Sequence, residues 1–474
     1  MDSIGTIRRR TERIVNLQLT NEVNCSEGPL LPKLLRFSAH LALSGFLQLL
    51  FNTADVIVVG RFAGSTALAA VSSTGSLISL IVTLFMGVSV GVNVVVARYY
   101  GAGEKKEISS TVHTALTLSA LFGLLVAVVG FFLSRTFLEW MQSPWDVIDQ
   151  ASLYLKIYFL GVPFSMIYNF GTAILRAIGD TRRPMLYLLY AGIVNIILNL
   201  VLVIVFQMDV AGVAVATCVS QCISATLILL CLAREKNEAI RFIPSKLRLE
   251  KDKIRRILLA GIPSGLQSSL FSFSNVLIQS SVNRFGSDVV AGNGAAINLE
   301  TFVFVAMDSL QTAALTFAGQ NLGANKMDRV RKILPLCIGI VSAVGVVMGL
   351  VLGLFGRGLL SIYDSSEPVV SAGLVRTTMF GFTYFTCGIM NVCGGFIRGL
   401  GHSFLPTVIT LVGSCGLRIL WVYTAFQSVP TLFCLYLSYP ISWIITAIAL
   451  FLADLIVFRK VAREALFPVR LREE

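Results

Sequence analysis

The chain has 474 residues, of which 55% are hydrophobic and only 14% charged, against about 25% charge in ordinary soluble chains. With a mean hydropathy of +0.79, this composition excludes an ordinary soluble domain and predicts an all-α polytopic membrane protein. The net charge of +12 would by itself suggest a nucleic-acid partner, but no soluble domain is left to bind one.

Apolar runs of about 20 residues, long enough to cross a bilayer, recur twelve times. They cover 34–59, 66–97, 110–133, 151–175, 184–206, 211–233, 257–282, 289–319, 332–355, 371–396, 406–426 and 430–458. The first 33 residues are polar and basic and lack the apolar stretch of a cleavable signal, so the first span is expected to act as a signal anchor.

Basic residues sort the loops. They concentrate before the first span (Arg8, Arg9, Arg10, Arg13, Lys33), in ARYYGAGEKKE, RAIGDTRRP and GANKMDRVRK, in the 234–256 segment and in the closing FRKVAREALFPVRLREE. The alternate loops hold little beyond Arg61, Arg135, Arg284 and Arg357. This asymmetry predicts a multi-pass protein of the cell (inner) membrane with both termini cytoplasmic. The nine cysteines are scattered without metal-ligand spacing and read as small buried hydrophobes.

The sequence repeats itself. RYYGAGEKKE at Arg98 and QNLGANKMDR at Gln320 are 222 residues apart, as are RAIGDTRRP at Arg176 and RGLGHSFLP at Arg398. Each repeat holds six spans, an even number, so both halves enter the membrane in the same sense. The expectation is two six-helix lobes related by a parallel internal repeat. Residues 1–33 are the N-terminal segment, 34–233 the first lobe, 234–256 a basic linker, 257–458 the second lobe and 459–474 the tail.

Polar residues inside the spans are the candidate functional groups. Asp55, in FNTADVIVVGRFAG, lies roughly 28 Å along the first helix from Arg36 and roughly 9 Å short of Arg61. A carboxylate at that depth costs about 2.5–3.5 kcal/mol on insertion scales. It is either solvated near the outer mouth or binds and releases a cation. Asn195 and Asn199, four residues apart, share one helix face and are either interhelical glue or neighbours of Asp55. Glu300 and Asp308, a little over two turns apart, are expected on roughly the same side of the eighth span. They line a central cavity or bond internally, with Arg418 a candidate ion partner for either. No P-loop or GxGxxG occurs, and the glycine loops read as tight turns capping helices, so no ATP site and no cofactor is expected.

TADVIVVGRFAG, VNIILN and the paired loops resemble the multidrug and toxic compound extrusion (MATE) family over nearly the whole chain, from about 34 to 458. The resemblance implies a twelve-helix antiporter that exports organic, often cationic, small molecules against an inward flux of H⁺ or Na⁺. It implies a cation-coupling role for Asp55, and polar pocket residues at Asn195, Asn199, Thr217 and Asn169. Relatives often carry Asp where Asn199 stands, so this pocket would hold one carboxylate, and whether it takes H⁺ or Na⁺ stays open. His40 stands where relatives have a proline. The expected partners are the small-molecule substrate and the bilayer, with the chain acting as a monomer. The alternative within the same superfamily is a lipid-linked oligosaccharide flippase or polysaccharide exporter. That activity calls for an Arg- or Lys-rich cavity, and only Arg418, Arg376 and Lys156 stand near the apolar spans.

Overall fold

Backbone N–H and C=O groups in hydrocarbon find no water, so each spanning segment has to satisfy them internally. Apolar runs of this length therefore form helices. The computed structural model describes residues 23–141, 143–145 and 147–466. Among them twelve helices are long and apolar enough to cross a membrane. They are α1 (Leu30–Ala63), α2 (Gly64–Ala102), α3 (Lys105–Trp140), α4 (Ile148–Ala177), α5 (Arg182–Val205) and α6 (Asp209–Ala233) in the first lobe. The second lobe has α7 (Lys251–Phe285), α8 (Ser287–Gly323), α9 (Met327–Leu360), α10 (Glu367–Gly399), α11 (Phe404–Ser428) and α12 (Leu432–Leu466). The arginines at 8, 9, 10 and 13 and the tail beyond 466 lie outside the described residues.

Most helices run past the apolar limits read from the sequence. The extra turns are amphipathic or charged: α7 begins at Lys251, within the basic linker, and α12 continues to Leu466. Charged side chains do not stop a helix where water can solvate them, so hydropathy marks only the hydrocarbon-embedded part.

The pseudo-two-fold is visible in individual contacts. Asn93 and Thr316, displaced by 223 residues, hydrogen-bond to each other at 3.2 Å. A side chain at Gly101 would lie 2.0 Å from the Gln320 carbonyl oxygen, and one at Gly323 would lie 2.0 Å from that of Arg98. These are the same contact made twice, across an axis between α2 and α8. The turns after both helices match as well. Gly103 (φ 73°) and Asn325 (φ 54°), again 222 apart, are both left-handed, the conformation that ends a helix at least cost with Gly or Asn.

The lobes close on each other at the face that carries residues 23 and 466, the first and last described. Gln320 Nε2 of α8 donates to the Ala177 carbonyl at the end of α4, 2.6 Å away. Residues 23–28 then strap the seam. Val23 N–H donates to Gly179 O of the first lobe at 3.2 Å. Asn321 Nδ2 of the second lobe donates to Cys25 O at 3.0 Å, and the Arg329 guanidinium donates to the carbonyls of Cys25, Glu27 and Gly28. Further in, α2 crosses α7 backbone to backbone at Gly87, Gly91, Gly261 and Gly265. These inter-lobe contacts all lie between the terminal face and roughly mid-membrane.

Gly323→Val overpacks this seam, a change that costs about 1–3 kcal/mol and is expected to open it roughly tenfold or more. Cys25, within the strap, is fully buried, and burial pushes its thiol well above the usual range. Maleimide labelling of the Cys25 peptide, read by mass spectrometry, should accelerate in the variant. Unchanged labelling would show that the close approach does not hold the seam.

Candidate functional site

The first lobe brings most of the sequence-selected polar residues into one layer. Counting about 1.5 Å per residue from the helix ends opposite the termini, Asp55, Asn199 and Thr217 lie about 9–12 Å in, and Asn195 about 15 Å. Asn199 Nδ2 donates to Asp55 Oδ1 and also lies 3.2 Å from Asn195 Oδ1. The i, i+4 pair on α5 thus forms a short relay that ends on the carboxylate of α1. Both asparagines are buried.

The backbone widens where these helices meet. α1 passes into a π turn at Val59–Ala63 and α5 into one at Val201–Val205. Such turns are frequent at functional sites. Phe51, one turn before Asp55, packs its ring against Gly192, where any side chain would collide with it. Tyr154 and Tyr158, stacked on α4 with ring centroids 6.2 Å apart, stand at the same depth. Sequence reading did not select them, although their i, i+4 spacing placed both hydroxyls on one face.

Two buried oxygens in the layer have no hydrogen-bond partner among the described residues: Asn199 Oδ1 and Thr217 Oγ1. A buried acceptor without a donor costs about 1–3 kcal/mol. Asn199 Oδ1 belongs to the amide that bonds the Asp55 carboxylate, and Thr217 Oγ1 lies at the same depth on α6.

Asn169 does not join this layer. It sits 15 residues beyond Tyr154 on α4, about 22 Å further along the helix. Its amide donates to its own helix at Ser165 O, 2.9 Å away. It lines a small crevice against Ile81, Phe85 and Met86 of α2.

The equivalent region of the second lobe is filled. Displacing Tyr154, Tyr158, Thr217 and Gln221 by 222 residues gives Arg376, Phe380, Tyr439 and Trp443. These four pack together: the Arg376 guanidinium lies 4.7 Å from the Phe380 ring and 5.3 Å from Tyr439, and Phe380 is 4.9 Å from Tyr439 and 5.3 Å from Trp443. Ile278, the counterpart of Asp55, is a 2% exposed hydrophobe. One lobe therefore holds a carboxylate among amides and tyrosines, the other an arginine–aromatic core.

Glu300 belongs to that core. Arg376 Nε and Nη2 donate to its two carboxylate oxygens, both at 2.8 Å, and Nη1 donates to Asn293 at 2.8 Å. Asp308 lies elsewhere. Eight residues turn a helix by about 80° beyond two full turns, enough to send the two acids to different surroundings. Asp308 is solvent-exposed and acts electrostatically on Arg176 of the first lobe and Arg398 of the second, so it faces the space between the lobes. Arg176 and Arg398 are themselves repeat counterparts.

Arg418 forms no ion pair with either acid among the described residues. It stacks at 4.1 Å on Tyr439, and its Nε donates to Ser442 Oγ at 3.0 Å. The aromatic faces supply the electron density that a carboxylate would otherwise provide.

Sequence reading also passed over Asp454, in LFLADLIVF of α12. It is fully buried beside the Cys393 thiol. The signal was available: a carboxyl flanked by apolar residues raises the same question at 454 as at 55.

The comparisons with known proteins agree with this architecture. The chain is 28% identical over 392 residues to the probable multidrug resistance protein YoeA of Bacillus subtilis, covering 81% of this chain and 84% of that one. It is 28% identical to the probable multidrug resistance protein YpnP of the same organism, covering 83% and 88%. A solved structure, an outward-facing conformation of a multidrug resistance MATE family transporter of the MOP superfamily, superposes with a TM-score of 0.87 over 94% of this chain and 99% of that chain, at 20% identity. The MatE family model matches residues 41–201 and 263–424, one segment in each lobe, and the chain belongs to the MatE family.

Proposed function

We propose that the chain is a secondary antiporter that exports organic, drug-like compounds by alternating access, in exchange for H⁺ or Na⁺ taken up at Asp55. The observation that carries this reading is a carboxylate held in the membrane by a single asparagine amide, in one lobe only. Relatives described as probable multidrug resistance proteins supply the substrate class. The basic loops support a cytoplasmic terminal face, and with the seam closed there the lobes would part toward the outside.

The first-lobe layer gives this exchange a physical basis. As an anion, Asp55 accepts from Asn199 Nδ2. Protonated, it becomes a donor and needs an acceptor, which the unpartnered Asn199 Oδ1 provides when that amide turns over. Reversing the Asn199–Asn195 relay changes how α5 packs on α1 beside their π turns. For Na⁺, Asp55 with Asn199 Oδ1 and Thr217 Oγ1 would hold the ion. Either cation biases a two-state packing of the lobe, as differential affinity requires. Asp308, accessible between the lobes, is the substrate-facing charge, while Arg418 stays buried in its aromatic cage. A flippase is disfavoured because Glu300 already neutralises Arg376.

The test is efflux of a fluorescent organic cation from vesicles under an imposed pH gradient alone and a Na⁺ gradient alone. One of the two should drive transport against the substrate gradient. If neither did, the antiport reading would fail.

A further inference from the structure

The basic 234–256 linker does more than join the lobes. It folds back over the first lobe and forms one wall of an open cavity of about 650 Å³ at the terminal face. Lys105, Lys106 and Ser109 of α3 form one wall, and Lys246 and Arg248 of the linker the other, with Glu238 the single acid in the lining. Among the described residues Lys105, Lys106 and Lys246 have no carboxylate at ion-pair distance, while Arg248 pairs with Glu250.

The loop bias of basic residues sets which membrane face they occupy but not their convergence on one cavity. Lys105 and Lys106 open α3, where the helix dipole and free N–H groups disfavour cations and favour an anion. The walls are nonetheless built to stay in place. His113, 1% exposed, lies 2.7 Å from its own helix at Ser109 O through Nδ1, and accepts the Ile243 N–H through Nε2 at 3.1 Å. Its ring stacks on Phe242 at 6.2 Å. Glu250 accepts from Ser110 Oγ, and its N–H donates to Thr114 Oγ1 at 3.4 Å. Leu247, in the lining, and Leu249 beside it are exposed hydrophobes alternating with Lys246 and Arg248.

We propose that this cavity is a phosphate-binding site, with Lys105, Lys106, Lys246 and Arg248 neutralising the group and Ser109 donating to it. Two sources present that chemistry at a membrane surface: an anionic phospholipid headgroup and a soluble phosphate ester. The exposed leucines suit the acyl region of the former.

The experiment uses the full chain in detergent, titrated with phosphatidylglycerol, with phosphatidylcholine and with glycerol 3-phosphate. Binding is read by native mass spectrometry and thermal stability. Lys105→Gln/Lys106→Gln and Lys246→Gln/Arg248→Gln are compared with Arg459→Gln/Lys460→Gln, an equal charge change at the exposed end of α12. Each cavity pair should weaken binding roughly thirtyfold, as expected for two cations at a charged surface, and the control pair should not. Loss for phosphatidylglycerol alone assigns the site to the bilayer. Loss for glycerol 3-phosphate assigns it to a soluble ester. Equal losses in cavity and control variants, or none in either, would overturn the proposal.

Discussion

Asp55→Asn is expected to reduce gradient-driven efflux to less than about a tenth of the wild-type rate while leaving the protein folded. The substitution keeps the size and shape of the side chain, and an asparagine oxygen still accepts the Asn199 amide proton. The stability cost is therefore small, and removing a charge from the membrane offsets it, since an aspartate at depth costs about 2.5–3.5 kcal/mol on insertion scales. Under the proposed mechanism, what is lost is the ability to bind and release a proton or a monovalent cation. Without it, the ion gradient has no differential affinity with which to bias the two lobe packings, and a tenfold loss is about 1.4 kcal/mol of coupling. The measurement is a vesicle efflux assay paired with equilibrium binding of the same substrate. Binding should survive where pumping does not. Asn199→Ala should give a milder version of the same defect. Transport by Asp55→Asn at wild-type rate, with unchanged ion dependence, would remove Asp55 from the mechanism.

Glu300→Gln should produce the largest loss of stability, about 3–5 kcal/mol. The Arg376–Glu300 pair is bidentate, with each side chain 7% exposed. Breaking it leaves a guanidinium uncompensated among Phe380, Tyr436 and Tyr439. Removing both charges together, as in Glu300→Gln/Arg376→Met, should cost less than the sum of the single changes, because neither partner is then stranded. Thermal unfolding followed by tryptophan fluorescence measures both, since Trp443 lies in the same cluster. Additive losses would show that the two groups do not act as a pair. Efflux by the surviving folded fraction should keep its ion dependence, which separates this structural role from that of Asp55.

Much of this molecule was readable in its residues. Apolar runs mark the spans because hydrocarbon forces backbone satisfaction within each segment. The 222-residue displacement of RAIGD and RGLGH announced the duplicated lobes. The step from Asp55 to Asn195 and Asn199 succeeded because helical periodicity puts i and i+4 on one face, and an isolated carboxylate in an apolar run has few solutions.

Local periodicity and displacement along the chain fix the twelve helices, their grouping into two repeats and the shared face of Asn195 and Asn199, while the meeting of that face with Asp55 is a packing result. Only the tertiary structure decided the pairings between helices. Arg376, 76 residues away on α10, takes Glu300, and leaves Arg418 to stack on aromatic rings. Glu300 and Asp308 separate into a lobe interior and the space between lobes, and Asn169 falls out of the polar layer around Asp55. The linker, read as a basic tether, becomes the wall of a cavity. The physical reason is common to all four. A helix fixes the direction of a side chain relative to its own axis, and packing alone fixes which neighbour that direction meets.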